Sequence, residues 1–335
     1  MKALIQKLVE IPGPSGSENL IRQVIRQEIE PYADEINIDA LGNLIATKGD
    51  ISETGLKVML VAHMDEIGII LTHIDEAGFG RFTTIGGVSP VNCVGGRVRF
   101  LDGTSGVIGK EKATNTHNPP TIEELFIDFG VSRRQECPVK VGDVAAFDRP
   151  FIDLGARLVS KAMDDRIGVA VLVDTLKRFQ KSPHQVYFVF SVQEEVGVRG
   201  ATAAAFGVDP DLGLAIDVTD TGDTPKGSKM EVSLGKGLAI KIRDSGMLAD
   251  PRVVEWMINR AEKEEIPYQR EVLLKGGTDG RAIQLTRSGV PAGCLSIPCR
   301  YIHTPSEMVD FQDVQNAARL LLELLQNPVR LGYAE

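Results

Sequence analysis

The side chains of this sequence that could do chemistry together are His63 and Asp65 in "VAHMDEIG", Asp164 and Asp165 in "SKAMDDRIG", Glu194 and Glu195 in "SVQEEVGVRGA", Asp217 in "LGLAIDVT" and His303 in "YIHTPSEMV". Taken singly, each has an ordinary explanation. Asp164 and Asp165 read as a helix N-cap, the two glutamates as a solvated loop edge, and a lone histidine as a loop residue. Taken together they are imidazoles and carboxylates without a thiolate, a donor set suited to Zn²⁺, Co²⁺ or Mn²⁺ at a catalytic site rather than to a closed structural zinc. Two such ions would share a bridging carboxylate about 3.5–4 Å apart, with one histidine on each. HExxH is absent, so the helix-borne single-zinc site is excluded. Asp65, two residues from His63, lies on the same side of a strand and can orient the imidazole through its other nitrogen. A dinuclear hydrolase also needs one carboxylate on a metal and a free one to accept a proton from water. Adjacent glutamates where the chain turns, with Val196-Gly197 as the place for the turn, supply both.

The elements that must position these residues follow from the apolar runs before them. "KVMLVAH", "VYFVFSV", "LGLAI" and "AGCLSIPC" are continuous apolar stretches, as expected of strands buried on both faces. The polar residues follow or close those runs, and ligands in open α/β sheets bind beyond the carboxyl ends of strands. "KALIQKLVE" and "NLIRQVIRQEIE" read as amphipathic helices; in the second, Ser15 and Glu18 have capping-box spacing, and Leu20, Ile21, Val24, Ile25 and Ile29 form an apolar face. "EINIDALGNLIATK" reads as a hairpin. "DDRIGVAVLVDTLKRFQK", "PRVVEWMINRAEKEE" and "SEMVDFQDVQNAARLLLELLQ" read as helices, the last opened by Ser306 with Asp310 and Asp313 in its early turns. Between about 69 and 157 the texture changes to short alternating runs rich in glycine, with only "TIEELF" helical. That is the composition of a small barrel or sandwich. The sequence thus predicts a discontinuous α/β domain over 1–68 and 158–335, with an all-β domain inserted at 69–157.

The totals narrow the function classes. At 335 residues, 43% hydrophobic and 25% charged, the chain has the composition of an ordinary globular protein with a sizeable core. A net charge of −9, with no basic stripe, argues against nucleic acid as a partner. The sequence shows neither a signal peptide nor a run of about 20 apolar residues, so no membrane span is expected. Cys93, Cys137, Cys294 and Cys299 form no CxxC pair. They read as buried apolar residues, with a reducing cytoplasm as the default location.

The set "VAHMDEIG", "SKAMDDRIG", "QEEVGVRGA", "AIDVT", "GGTDGRAIQ" and "YIHTPSEMV", in this order, resembles the M42 family of dinuclear metal aminopeptidases, which includes tetrahedral and glutamyl aminopeptidases. The resemblance runs over essentially the whole chain. It implies a mixed-sheet, three-layer metallopeptidase domain in which Asp164 bridges two ions. His63 and Asp217 would complete one site, and Glu195 and His303 the other. Glu194 would be the general base and Asp65 the residue that orients His63. It further implies a cis peptide after Asp164, dimerisation through the inserted domain, and dimers assembling further into a hollow dodecamer. The chain departs from the family in "GGTDGR", where Arg281 either alters the pocket wall or faces solvent, and in the loop containing His117, a candidate for shaping a neighbouring subunit's site.

The expected reaction is metal-dependent release of N-terminal residues from short peptides, with two Zn²⁺ or Co²⁺ ions, or Mn²⁺, per subunit. A dinuclear deacylase or carboxypeptidase acting on N-acylated substrates uses the same residue types and is separated by its tolerance of a blocked amine. Glycoside hydrolysis fits poorly, since it needs two carboxyls about 5–9.5 Å apart across a sugar and no metal. A pure peptide-binding or assembly protein has no need of the glutamate pair. Nothing in the sequence indicates the preferred N-terminal residue.

Overall fold

The computed structural model describes residues 1–53, 55–112, 118–327 and 329. Two helices, α1 (Lys2–Glu10) and α2 (Asn19–Ile29), lead into the hairpin of β1 (Glu35–Ile38) and β2 (Leu44–Lys48). Ile21, Ile25 and Ile29 are the buried line of α2, one turn apart; Leu20, expected on that face, is exposed. Asp39 closes the hairpin by accepting the N–H groups of Leu41, Gly42 and Asn43. The apolar run before His63 becomes β3 (Lys57–His63), buried from Val58 onward.

The chain then leaves for a closed barrel made of β4 (Gly68–Ile74), β5 (Gly80–Ile85), β6 (Arg97–Phe100), β7 (Ser105–Lys110), β8 (Leu125–Asp128) and β9 (Val144–Phe147), in the order β4-β5-β8-β7-β6-β9. Inward side chains such as Ile69, Leu71, Val98, Ile108 and Ile127 alternate with outward ones and fill a core separate from the main one. "TIEELF" is a single 3₁₀ turn, capped reciprocally by Thr121 and Glu124, that runs straight into β8.

After the barrel, β10 (Ile152–Asp153) and β11 (Arg157–Ser160) pair with each other at one edge of the large sheet. The β texture that extends to residue 157 in sequence is therefore split between two sheets. The remaining elements are α3 (Met163–Arg178), β12 (Gln185–Ser191), α4 (Arg199–Val208), β13 (Leu212–Thr219), β14 (Leu238–Arg243), α5 (Pro251–Lys263), β15 (Tyr268–Val272), α6 (Gly280–Gln284), β16 (Ala292–Arg300), β17 (Glu307–Asp310) and α7 (Phe311–Leu325). The sheet runs β1-β2-β12-β3-β13-β16-β17-β11-β10, with β14 on β16 and β15 on β14. Strands β12, β3, β13 and β16 are mutually parallel, and the flanking pairs are mostly antiparallel. Helix α3 packs on α1, α2 and α7, while α4 and α6 pack on each other and on the parallel strands.

Two expected helix starts are corrected. Ser15 does not cap α2: its hydroxyl donates to Asp65, Glu18 accepts from Gly16, and the helix begins at Asn19 without a side-chain cap. Ser306 does not open the last helix, because β17 intervenes; Asp310 is the cap, accepting from Gln312 and Asp313. Ser15 has been taken by a longer-range contact, and Ser306 precedes a strand instead of a helix.

Candidate active site

The parallel register brings the chemistry to one edge. His63 ends β3 and sits beside Ser191 at the end of β12, so Glu194 and Glu195 emerge next to it. Asp217 lies near the end of β13, parallel to both β3 and β16. His303 follows β16, and Asp164 comes from the non-helical opening of α3, shortly after β11. The chain after the glutamates reverses as expected: the N–H groups of Gly197 and Val198 both donate to the Glu194 carbonyl, and Gly197 takes φ 119°.

All five expected metal ligands meet. His63 Nε2 is 3.0 Å from Asp164 Oδ1 and 4.0 Å from Asp217 Oδ1. His303 Nε2 is 3.3 Å from the other Asp164 oxygen, Oδ2, and 3.1 Å from Glu195 Oε2. His63, Asp164 and Asp217 form one group, and Asp164, Glu195 and His303 another, each with donor atoms within 4.8 Å of one another. Glu195 Oε1 is buried without a hydrogen-bond partner. A cleft of ≈ 460 Å³ opens over them, with Glu194 in its wall.

The electrostatics follow from crowding buried charges. Burial works against the charged His303 ring, but the Asp164 and Glu195 carboxylates outweigh it and raise its pKa from 6.5 to about 12. Burial would raise Asp164, yet His303 and His63 together hold it below the ordinary carboxylate range. Burial pushes the Glu194 carboxyl well above that range; His63 opposes the shift, while Asp279, Asp217 and Glu195 add to it. Asp217 is also raised by burial against the pull of His63. Crowded oxygen and nitrogen donors, one orphaned buried carboxylate oxygen and two imidazoles sharing Asp164 fit a pair of divalent cations.

Asp65 does more than the sequence suggested. Its backbone carbonyl is the nearer partner of His63 Nδ1, at 3.2 Å, with the carboxylate at 3.6 Å. The carboxylate itself accepts the Glu194 N–H at 3.0 Å, the Glu195 N–H at 3.3 Å and the Ser15 hydroxyl at 2.6 Å. The paired aspartates divide their work. Asp165 turns away and accepts the Gly168 N–H like a cap, and the peptide between Asp164 and Asp165 is cis.

Some residues at the site carried no role in the sequence reading. Asp279, in "GGTD", is buried and accepts the Ser191 hydroxyl; burial raises its pKa to about 6. The motif was visible, but a carboxylate after two glycines reads as a turn residue. Glu307 accepts the N–H groups of Asp164 and His303. Its position in "SEMVD" resembles a helix first turn, which hid it. Arg281 lines the cleft with an exposed side chain. His117 lies outside the described residues.

The mixed α/β fold with its small closed barrel matches those of solved aminopeptidases. The chain is 41% identical to aminopeptidase APDkam598 of the archaeon Desulfurococcus kamchatkensis, with a TM-score of 0.94 over 98% of this chain and 94% of that one. It is 31% identical to the TET1 peptidase of Pyrococcus horikoshii, which can assemble into a tetrahedron or a large octahedral shell, with a TM-score of 0.87 over 97% and 98% of the two chains. Over 96% of each chain it is 35% identical to the lysyl aminopeptidase of Pyrococcus furiosus. The M42 glutamyl aminopeptidase profile matches residues 42–320, and the chain belongs to this peptidase family.

Proposed function

We propose that the protein is a two-metal aminopeptidase that removes N-terminal residues from short peptides. The observation that carries this reading is the geometry of Asp164, whose two oxygens face two different imidazoles at 3.0 and 3.3 Å. His63 and Asp217 hold one ion, Glu195 and His303 the other, and Asp164 is shared. Zn²⁺ or Co²⁺, with Mn²⁺ as a third candidate, suits these nitrogen and oxygen donors. When bound, such ions polarise the scissile carbonyl and make water a nucleophile near neutral pH.

The protein's own residues do the rest. Glu194, in the cleft wall but outside both donor groups, takes a proton from the attacking water and returns it to the leaving amine. Asp65 holds the backbone of Glu194 and Glu195, so that the base and its ligand neighbour keep separate directions. The barrel, inserted between β3 and the rest of the catalytic domain, serves as the dimerisation module, with dimers joining into a dodecamer. The shell-forming P. horikoshii relative supports that reading. The free thiols of Cys93, Cys137, Cys294 and Cys299 accord with a reducing cytoplasm.

The test is hydrolysis of aminoacyl-anilides and their N-acetylated twins by chelator-stripped enzyme with Zn²⁺, Co²⁺ or Mn²⁺ restored. Metal-dependent cleavage of the free-amine compounds alone is expected. Cleavage of the blocked twins would transfer the protein to the deacylases, and chelator-resistant activity would overturn the metal centre.

A further inference from the structure

Glu307 is a buried carboxylate that the proposed chemistry does not use. It opens β17 and is 1% exposed. On β11 its partner is Ser160, so the antiparallel pairing of the two strands sets it over the turn that leads to Asp164. Its Oε2 accepts the Asp164 N–H at 2.9 Å, and its Oε1 accepts the His303 N–H, also at 2.9 Å. One carboxylate thus grips the backbones of two residues whose side chains meet at 3.3 Å.

Neither backbone has a regular hydrogen-bond ladder to hold it there. His303 sits in the left-handed region at φ 59°, uncommon for a residue with a side chain. Asp164, at φ −75° and ψ 108°, stands in the non-helical opening of α3. His63 and Asp217, by contrast, belong to parallel strands at the centre of the sheet.

We propose that Glu307 is a positioning residue of the metal centre, a two-pronged acceptor that fixes the separation of Asp164 and His303. The inference rests on the two-metal reading above. It makes the two sites unequal in their dependence on Glu307. The Glu195–His303 site has both gripped residues and weakens strongly without the clamp. The His63–Asp217 site has only the shared Asp164 and weakens less. Glu307→Gln keeps the size of the side chain but aims an amide donor at one of two N–H donors, so only one prong survives. Glu307→Asp keeps the charge and falls short by one methylene.

The experiment titrates metal-free, full-length wild type and both variants with Co²⁺, following the cobalt absorption bands and competition with a chromophoric chelator, together with melting of the metal-free proteins. Wild type is expected to bind two ions. The variants should keep one site near wild-type affinity and lose about 10–100-fold at the other, the usual effect of removing a partner that orients metal ligands. Equal weakening of both sites, or none, overturns the proposal. If Glu307→Gln does not fold, Glu307→Asp supplies the reading. Failure of both to fold assigns Glu307 to general stability and overturns it too. A wild type that binds no Co²⁺ would remove the metal reading itself, whereas two-site binding in wild type and variants alike would remove only the role of Glu307.

Discussion

Glu194 and Glu195 are chemically identical neighbours separated by what surrounds them. Glu195 Oε2 faces His303 at 3.1 Å, whereas Glu194 lines the cleft outside both ligand groups. Glu194→Gln should therefore retain both metals by elemental analysis while turnover falls by about 10²–10⁴-fold, the range for loss of a general base. A variant with full turnover would sink the role. At this scale the sequence was legible for residues that interrupt apolar runs, because a carboxylate or imidazole at the end of a buried strand stands out. It was less legible for Asp65, whose imidazole contact was foreseen but whose grip on residues 194 and 195 spans some 130 positions. Asp279 and Glu307 gave no signal, since each sits in a context where a turn or helix start explains an acidic residue equally well.

At the scale of elements, the buried strands were readable because a strand covered on both faces has no polar alternation. Helix starts were not. Capping cues are a few residues long, and both Ser15 and the 306–310 segment serve contacts that local spacing cannot reveal. The joints between elements are equally hidden. Lys161, just after β11, donates to both oxygens of Glu66, just before β4, and so ties together the two chain segments that run to and from the barrel. Glu66 also accepts the Gly13 N–H, and Arg166 donates to the Leu8 and Ile11 carbonyls, which joins α1 to the same buried knot. His184 is a joint of another kind. Its Nδ1 accepts the Leu56 N–H at 3.1 Å, and its Nε2 lies 3.2 Å from the Asn327 carbonyl, linking the starts of β3 and β12 to the end of α7. Both bonds are made by the neutral ring, and burial lowers its pKa from the ordinary 6.5, with the Asn327 bond opposing. The unfolded chain then binds the extra proton first as pH falls. The stabilisation from His184 is complete above pH 6.5 and declines from there toward the lower folded value. Melting curves of wild type and His184→Asn between about pH 5 and 8 should converge on the acid side. A constant gap would show that the ring does not titrate as described.

At the scale of the whole molecule, the two hydrophobic cores keep the donor groups apart from the barrel. The parallel sheet carries the donor groups, while the barrel is closed and packs a core of its own. Its outer surface is not wholly polar. Val94 and Val107 are 46% and 48% exposed, and the Gly95 N–H donation to the Ile108 carbonyl sets their segments side by side. Val91 and Val141 are exposed on the barrel as well. If the barrel is the dimerisation module proposed above, the adjacent pair Val94 and Val107 is a face that another copy would cover. Val94→Asp combined with Val107→Asp puts charge on that surface without touching the barrel core. Native mass spectrometry of the wild-type chain should give multiples of the 36.3 kDa protomer, and the double variant should shift to smaller species with unchanged far-UV circular dichroism. Each protomer carries all five proposed ligands, so dissociation should leave metal content intact. An assembly that survives both charges would move the contact off this face of the barrel. Loss of metal on dissociation would mean that the centre depends on a neighbouring copy, a dependence the protomer's own geometry gives no reason to expect.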